Sequence, residues 1–347
     1  MSHEDYMLRA IELATLGFGH VSPNPMVGAV IVHEDRIIGE GWHRKFGEAH
    51  AEVNAINSVK KPELLALSTC YVTLEPCFHF GKTPPCADLL IHSGIRKVVI
   101  ANTDPNPLVN GKGIEKLRKA GIEVIIGVEE KRALELNKRF FTFVQKERPY
   151  IILKWAETAD GFIANSNRTP VSISRSVAQM HSHKWRTEED AILVGTETVI
   201  NDNPSLTSRK WQGKDPLRIV WDPNNRTPSD ATVFTDRNPT LYFCSLSNPE
   251  KPVEHILIPP QEDPLKFLIS ILYQRSISSV IIEGGPRLHE HFIRERLFDE
   301  IRIFKSKNLI LKEGIPAARI PSGIVERHSI DLPSDILRFF SLDFQPF

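Results

Sequence analysis

The sequence predicts an α/β protein made of two successive domains, and three observations carry that expectation. A chain of 347 residues is longer than one ordinary hydrophobic core encloses. From residue 26 to residue 127, short runs rich in Val and Ile alternate with segments of helical periodicity, the pattern of a layered α/β sheet. After Glu147-Arg148-Pro149 the alternation begins afresh, which sets a boundary there and divides the chain into 1–146 and 147–347.

Ser2 is placed to cap a first helix with Tyr6, Met7, Ala10, Ile11, Leu13 and Ala14 on its apolar face, ending near Gly17 or Gly19. In the loop that follows, Pro23 and Pro25 restrict the backbone of Asn24, which reads equally as a turn residue or a ligand contact. The apolar run 26–32 is a buried strand, paired through the turn 33–36 with a second strand over 37–43. His50 opens a helix over 51–59, which puts Glu52 in its first turn, where free amides and the helix dipole favour negative charge. A third strand spans 69–74, and Glu75-Pro76-Cys77 stands at its carboxyl end. Pro84 and Pro85 start a helix with Cys86 in its first turn. Strand 97–101, helix 113–120, strand 122–127 and a helix over 128–146 complete the half.

The second half opens with strand 150–156, followed by a helix over 173–188 capped by Ser174. Strand 191–195, a short helix 196–200 and a loop 201–209 come next, then strands at 217–222, 240–244 and 255–258. Helix 265–274 precedes strand 279–283, which runs into Gly284-Gly285-Pro286 and a helix over 287–296. Such a strand-glycine-helix junction either lets a backbone approach a phosphate or is simply a tight turn. No G-x-G-x-x-G is present. The tail holds strand 301–305 and further strand-like segments.

The chemistry concentrates between His50 and Cys86. One His and two Cys, His50, Cys77 and Cys86, suit a Zn2+ site that keeps a fourth position for water, and Glu52 stays free to move protons. A histidine, a spaced glutamate and a later Pro-Cys with a second Cys is the arrangement of zinc deaminases acting on nucleobases, although eight residues rather than two separate the cysteines. A closed structural site would need a fourth ligand, which His79 could supply. His50-Ala51-Glu52 is the only His-x-Glu among 13 histidines, and both cysteines follow prolines, which favours the catalytic reading. Cys70 and Cys244 lie in strand-like runs and read as core.

Lys plus Arg and Asp plus Glu both number 43, so there is no net charge to attract a nucleic acid. The first residues lack the blocks of a signal peptide and no apolar run approaches a membrane span, so no membrane partner is expected. Cysteines without a disulfide-like framework point to a cytoplasmic protein.

The blocks PNPMVGAVIV, GWHRKFGEAHAEVNAI and TLEPCFHFGKTPPCADLLI resemble the deaminase half of a bifunctional deaminase and reductase family of riboflavin biosynthesis. RPYIILKWAETADGFIA, AILVGTETVINDNPSLTSR, DPLRIVWDPNNR and VIIEGGPRLHEHFI are similar to its reductase half. The resemblance implies a cytidine-deaminase-like three-layer α/β/α domain followed by a dihydrofolate-reductase-like α/β domain. It implies zinc on His50, Cys77 and Cys86, Glu52 as proton shuttle, and contacts to a pyrimidine ribotide at Asn24, His43, His79, Lys82 and Asp104. For the reductase it implies NADPH near Ala156, Thr198, Asp202 and the turn Gly285, Pro286, Arg287, Leu288, His289, Glu290 and His291. Substrate there would meet Arg186, Leu206, Arg209 and Glu283. The resemblance further implies a homo-oligomer.

Overall fold

The structure, a computed structural model, describes residues 1–78, 84–107, 109–167 and 171–342 and divides into two compact units, Met1–Glu147 and Arg148–Phe347. In the first unit, helix α1 (His3–Thr15) starts at a reciprocal cap: the Asp5 N–H donates to Ser2 Oγ at 3.3 Å and the Ser2 N–H to Asp5 Oδ2 at 2.8 Å. Strands β1 (Gly28–His33) and β2 (Arg36–Trp42) form a hairpin turned by Glu34 and Asp35, both at positive φ. Helix α2 (Ala51–Asn57), a 3-10 turn Pro62–Leu67, strand β3 (Thr69–Leu74), helix α3 (Cys86–His92), strand β4 (Lys97–Asn102), helix α4 (Lys112–Lys119), strand β5 (Glu123–Ile126) and helices α5 (Glu130–Leu136) and α6 (Lys138–Lys146) follow.

The sheet runs β2-β1-β3-β4-β5, antiparallel among the first three strands and parallel among the last three. Side chains alternate along each strand, so Ala29, Ile31, Cys70, Val72, Val98 and Ile100 pack under α2, α3 and α4. Val30, Val32, Tyr71, Val99 and Ala101 face α1 and α5 instead. The result is three layers, with each fully buried Ile or Leu contributing about 1.5–3 kcal/mol. Helix α2 lies tight on β2 because Gly41 has no side chain; a Cβ there would stand 2.3 Å from the Ala55 nitrogen. That contact fixes the helix whose start carries His50.

The single helix expected over 128–146 is two, parted at Asn137. The Asn137 amide is drawn into the core by Met26, whose N–H donates to Oδ1 and whose carbonyl accepts from Nδ2, both at 2.8 Å. Buried backbone groups left unpaired would cost more than a break in helix continuity.

The second unit comprises β6 (Tyr150–Glu157), β7 (Phe162–Ala164), α7 (Ser176–Glu188), β8 (Ala191–Gly195), α8 (Thr196–Asp202), β9 (Leu217–Trp221), α9 (Thr232–Thr235), β10 (Thr240–Cys244), β11 (Glu254–Leu257), α10 (Pro264–Gln274), β12 (Ser279–Ile282), α11 (Pro286–Arg294), β13 (Glu300–Ser306), β14 (Ile315–Pro316), β15 (Ile324–Asp331) and β16 (Asp335–Leu342). Its main sheet has the order β11-β10-β9-β8-β12-β6-β13-β16-β15; β11 through β13 are parallel, and β16 and β15 close it antiparallel. Helices α10 and α11 cover one face around Leu193, Ile219, Phe243 and Ile303, and α7, α8 and α9 the other around Ile152, Val194, Val220 and Phe304. Helix α7 begins at Ser176 with Arg175 as its N-cap; Ser174 lies outside it and gives its carbonyl to Gln179 Nε2. Strand β7 and helix α9, too short for a periodic signal, were not expected. Among the described residues no helix is long and apolar enough to cross a membrane.

Candidate active sites

His50 is the N-cap of α2, Cys77 follows the end of β3, and Cys86 is the first residue of α3. Three separate elements therefore deliver one donor atom each, and the three atoms lie within 4.8 Å of one another. His50 Nδ1 is 3.7 Å from Cys77 Sγ and 3.3 Å from Cys86 Sγ, and the Cys86 N–H donates to Cys77 Sγ at 3.3 Å. One imidazole and two thiols at this spacing fit zinc, and among the described residues the set has three donors, which suits a site with a position for solvent. The Cys86 S–H and the His50 ring hold the Cys77 thiol below its ordinary range, while the Cys77 thiolate and burial push Cys86 up. Glu52 is buried beside them, within hydrogen-bonding reach of Cys86. Burial, then the Cys77 charge, push its carboxyl up to about 7.

Around this cluster the structure gathers three more of the expected residues. The His43 ring meets His50 edge to face, with centroids 5.5 Å apart, and its Nδ1 donates to the Ala49 carbonyl at 3.2 Å. That leaves Nε2 to accept from Asn24 Nδ2 at 3.4 Å, and burial keeps the ring neutral by lowering its pKa. Asp104 is tied in through its N–H, which donates to Glu75 Oε2 at 3.2 Å. His79 and Lys82 lie outside the described residues.

In the second unit, β8, β12 and β6 are adjacent and parallel, so their carboxyl ends share one edge. Glu283 follows β12 there and accepts from Arg186 Nη2 at 2.8 Å and Nε at 3.3 Å. Arg186 Nη1 also donates to the Thr207 carbonyl at 3.0 Å, which draws in the loop bearing Leu206 and Arg209. Leu206 is buried at positive φ; Arg209 is exposed, with its guanidinium on the Ser205 hydroxyl. His183, on the same helix as Arg186, is held down at about 4 by burial and by the Arg186 and Arg209 charges.

Gly285 is the N-cap of α11, and a Cβ added to it would meet nothing within 4 Å. Pro286 has no N–H and the Leu288 N–H donates to the Gly285 carbonyl at 3.1 Å, so the start of α11 offers a dinucleotide phosphate the Arg287 N–H and the positive end of the helix dipole. Ala156 and Thr198 are half-buried on β6 and α8, and Asp202 is exposed at the last position of α8. Pro286 and Leu288 are half-buried and Arg287 and Glu290 exposed, while His291 lies part-way down α11. His289 turns inward: it is buried, its Nε2 donates to the Ile282 carbonyl at 3.1 Å, and its ring packs against Trp155. It buttresses the turn rather than facing a ligand.

Two residues of these sites carried no expectation. Glu75 is buried at the strand end before Cys77 and accepts four backbone N–H groups. Lys154 projects from β6 with Nζ 3.5 Å from Glu283 Oε2. Its position one residue out of phase with the core-facing Leu153 and Trp155 was a readable signal.

Residues 1–102 match the cytidine and deoxycytidylate deaminase zinc-binding region, and residues 149–306 match the RibD C-terminal domain. The riboflavin biosynthesis protein RibD of Aquifex aeolicus is 44% identical over 320 residues, covering 90% of this chain and 88% of that protein. RibD of Escherichia coli is 35% identical, with 89% of each chain covered. The crystal structure of a diaminohydroxyphosphoribosylaminopyrimidine deaminase/5-amino-6-(5-phosphoribosylamino)uracil reductase from Thermotoga maritima superposes with a TM-score of 0.89 at 38% identity, over 98% of this chain and 99% of that one. The chain belongs to the RibD family, the bifunctional deaminases and reductases of riboflavin biosynthesis.

Proposed function

We propose that residues 1–146 deaminate a diaminopyrimidine ribotide at His50, Cys77, Cys86 and Glu52, and that residues 147–347 reduce its ribosyl chain with NADPH at the edge bearing Arg186, Lys154 and Glu283. The observation that carries the reading is the convergence of three donor atoms within 4.8 Å beside a buried carboxyl that is not one of them. His50, Cys77 and Cys86 would hold zinc, which when bound supplies Lewis-acid activation of water at neutral pH. Glu52 would take a proton from the water whose oxygen adds to the amino-bearing ring carbon and return it to the departing amine, so the C–O bond forms as the C–N bond breaks, ammonia leaves and a carbonyl remains. Neutral His43, itself tied to the Ala49 carbonyl, would orient the Asn24 amide towards the pyrimidine ring, and Glu75 holds the loop bearing Asp104.

NADPH, when bound, supplies the hydride for the second step. The α11 start at Gly285 would hold its phosphates, and Ala156, Thr198 and Asp202 lie along the same edge. Arg186 and Lys154 would orient the ribose chain, with Glu283 fixing both cations, and Arg209 would meet the substrate phosphate with its guanidinium fork. Zero net charge supports a small-molecule substrate without nucleic acid. The reading includes a cytoplasmic homo-oligomer, which sedimentation of the purified chain measures.

The test is Glu52→Gln. The variant keeps its zinc and loses about 10²- to 10⁴-fold in ammonia release from the ribotide, the size of one general acid–base contribution. Deamination at the wild-type rate by the zinc-loaded variant would overturn the role of Glu52.

A further inference from the structure

We propose that Arg226 is the residue that selects NADPH over NADH, by gripping the phosphate on the adenosine ribose. This rests on the reading that the second unit is an NADPH-dependent reductase. The ionic cluster of Glu283, Arg186 and Lys154 sits on the β12 and β6 side of the edge. A cofactor whose reactive ring faces that cluster, with its phosphates at Gly285, has to run its adenosine the other way, past β8 towards β9. Strand β9 is the parallel neighbour of β8, two strand spacings or about 10 Å from β12.

The loop leaving β9 is built to present a side chain there. Asp222, fully buried, accepts the N–H groups of Arg226 at 3.1 Å and Thr227 at 2.8 Å, and the hydroxyls of Thr227, Tyr242 and Thr196 at 2.7, 2.8 and 2.9 Å. Thr196 is the first residue of α8, so one carboxylate locks the β9 loop to the β8–α8 turn. Arg226 stands on that locked loop with its side chain half exposed, and its Nη2 reaches across the first turn of α8 to Glu197 Oε1 at 2.7 Å.

Two other cations of this part of the sheet, Lys251 and Arg218, are committed elsewhere. Lys251 is sealed in the core against Thr227 and Tyr242. Arg218 is buried and doubly bonded to Asp236. A guanidinium is suited to a phosphate because its fork binds two oxygens at once, and an arginine near the ribose is a known way to accommodate a 2′-phosphate. An exposed ion pair with Glu197 holds the fork in place weakly enough for a dianionic phosphate to displace the carboxylate.

The experiment uses the full zinc-loaded chain and two readouts. Calorimetric titration with 2′,5′-ADP and with 5′-AMP gives binding of the adenosine end alone, and steady-state reduction gives KM for NADPH and for NADH. Arg226→Gln is expected to weaken 2′,5′-ADP binding and raise KM for NADPH by about 10- to 100-fold, while 5′-AMP binding and KM for NADH stay within about 2-fold. Arg226→Lys, which keeps the charge but not the fork, falls between, and Glu197→Gln tightens 2′,5′-ADP binding. A wild-type preference for 2′,5′-ADP that persists in Arg226→Gln overturns the assignment and leaves the reductase reading standing. Loss of both nucleotides to the same degree in Arg226→Gln and Arg226→Lys overturns it as well, because it marks a collapsed loop. A wild-type chain that binds neither fragment and oxidises neither dinucleotide sinks the reductase reading and this inference together.

Discussion

Glu75 Oε1 accepts the backbone N–H of Gly113 at 2.9 Å, while its other oxygen accepts that of Gly111 at 3.0 Å. The N–H groups of Ile114 and Asp104 complete the set at 3.3 and 3.2 Å. One buried carboxylate thus closes the end of β3 onto the N-terminus of α4, whose free amides and dipole favour negative charge. Cys77 lies two residues further along the chain and the Asp104 N–H is held by the same carboxylate, so the loop bearing the proposed metal ligand and the loop bearing Asp104 share one anchor.

Glu75→Gln tests that anchor. Glutamine keeps the volume and one acceptor, but its NH2 group must face two backbone donors, leaving buried N–H groups unpaired at about 1–3 kcal/mol each. The first unit should unfold at lower denaturant, and zinc affinity measured by chelator competition should fall about 10- to 100-fold, as for other groups that support metal ligands. Wild-type stability together with wild-type zinc retention would show that the loop stands without the carboxylate.

In the second unit the stability of the Arg186–Glu283 pair should follow pH in a defined window. Burial pushes Glu283 upward, but the Arg186 and Lys154 charges more than reverse this and hold it at about 2, against an ordinary 4.5. The Lys154 pKa is lowered as well, by burial more than Glu283 raises it, with Arg186 adding to the fall. A carboxylate depressed on folding stabilises the native state above its unfolded pKa, and the contribution fades as pH drops from about 4.5 towards about 2. Its full size is on the order of 3 kcal/mol. Glu283→Gln should be destabilised at pH 7, where two buried cations lose their counter-charge, by about 3–5 kcal/mol. Urea titrations between pH 6 and pH 3 should then show the gap to wild type narrowing below pH 4.5. A gap that stays constant over that range would remove Glu283 as its source.

The zinc cluster could be read from the chain because its donors are residue types with scarce chemistry, each beside a local stop or start signal: the His50 cap, Pro76 before Cys77, Pro85 before Cys86. The central strands of both sheets were equally open to reading, since their Val and Ile runs face helices on both sides, whereas the exposed β15 and its neighbour β16 read only as strand-like segments without bounds. What the sequence hid depends on distant partners. Asn137 breaks a helix for the sake of Met26, 111 positions away, and nothing local distinguishes it from a surface asparagine. Glu75 looks like a neighbour of the motif until the N–H groups of Gly111 and Gly113 are seen to converge on it. His289 lies within the glycine turn by sequence, yet the helical phase of α11 aims it at the Ile282 carbonyl.

The two glycines before α11 separate ligand binding from packing. Gly285 has φ −75° and ψ 170°, a backbone open to any residue, and a Cβ there meets nothing. A Cβ on Gly284 would stand 2.8 Å from Leu288 Cδ2, so that position serves the fit of helix against strand. Gly285→Val should therefore cost no more than about 1 kcal/mol, the ordinary penalty of a poor N-cap, while its side chain stands at the positive end of the helix beside the Arg287 N–H. NADPH affinity by direct titration should fall 10-fold or more, in keeping with a phosphate that needs close approach of the backbone. Gly284→Ala should do the reverse, moving the unfolding midpoint through Leu288 and changing cofactor affinity little. If Gly285→Val binds NADPH as the wild type does, the diphosphate does not rest on the start of α11, and the cofactor must lie along this edge in some other way.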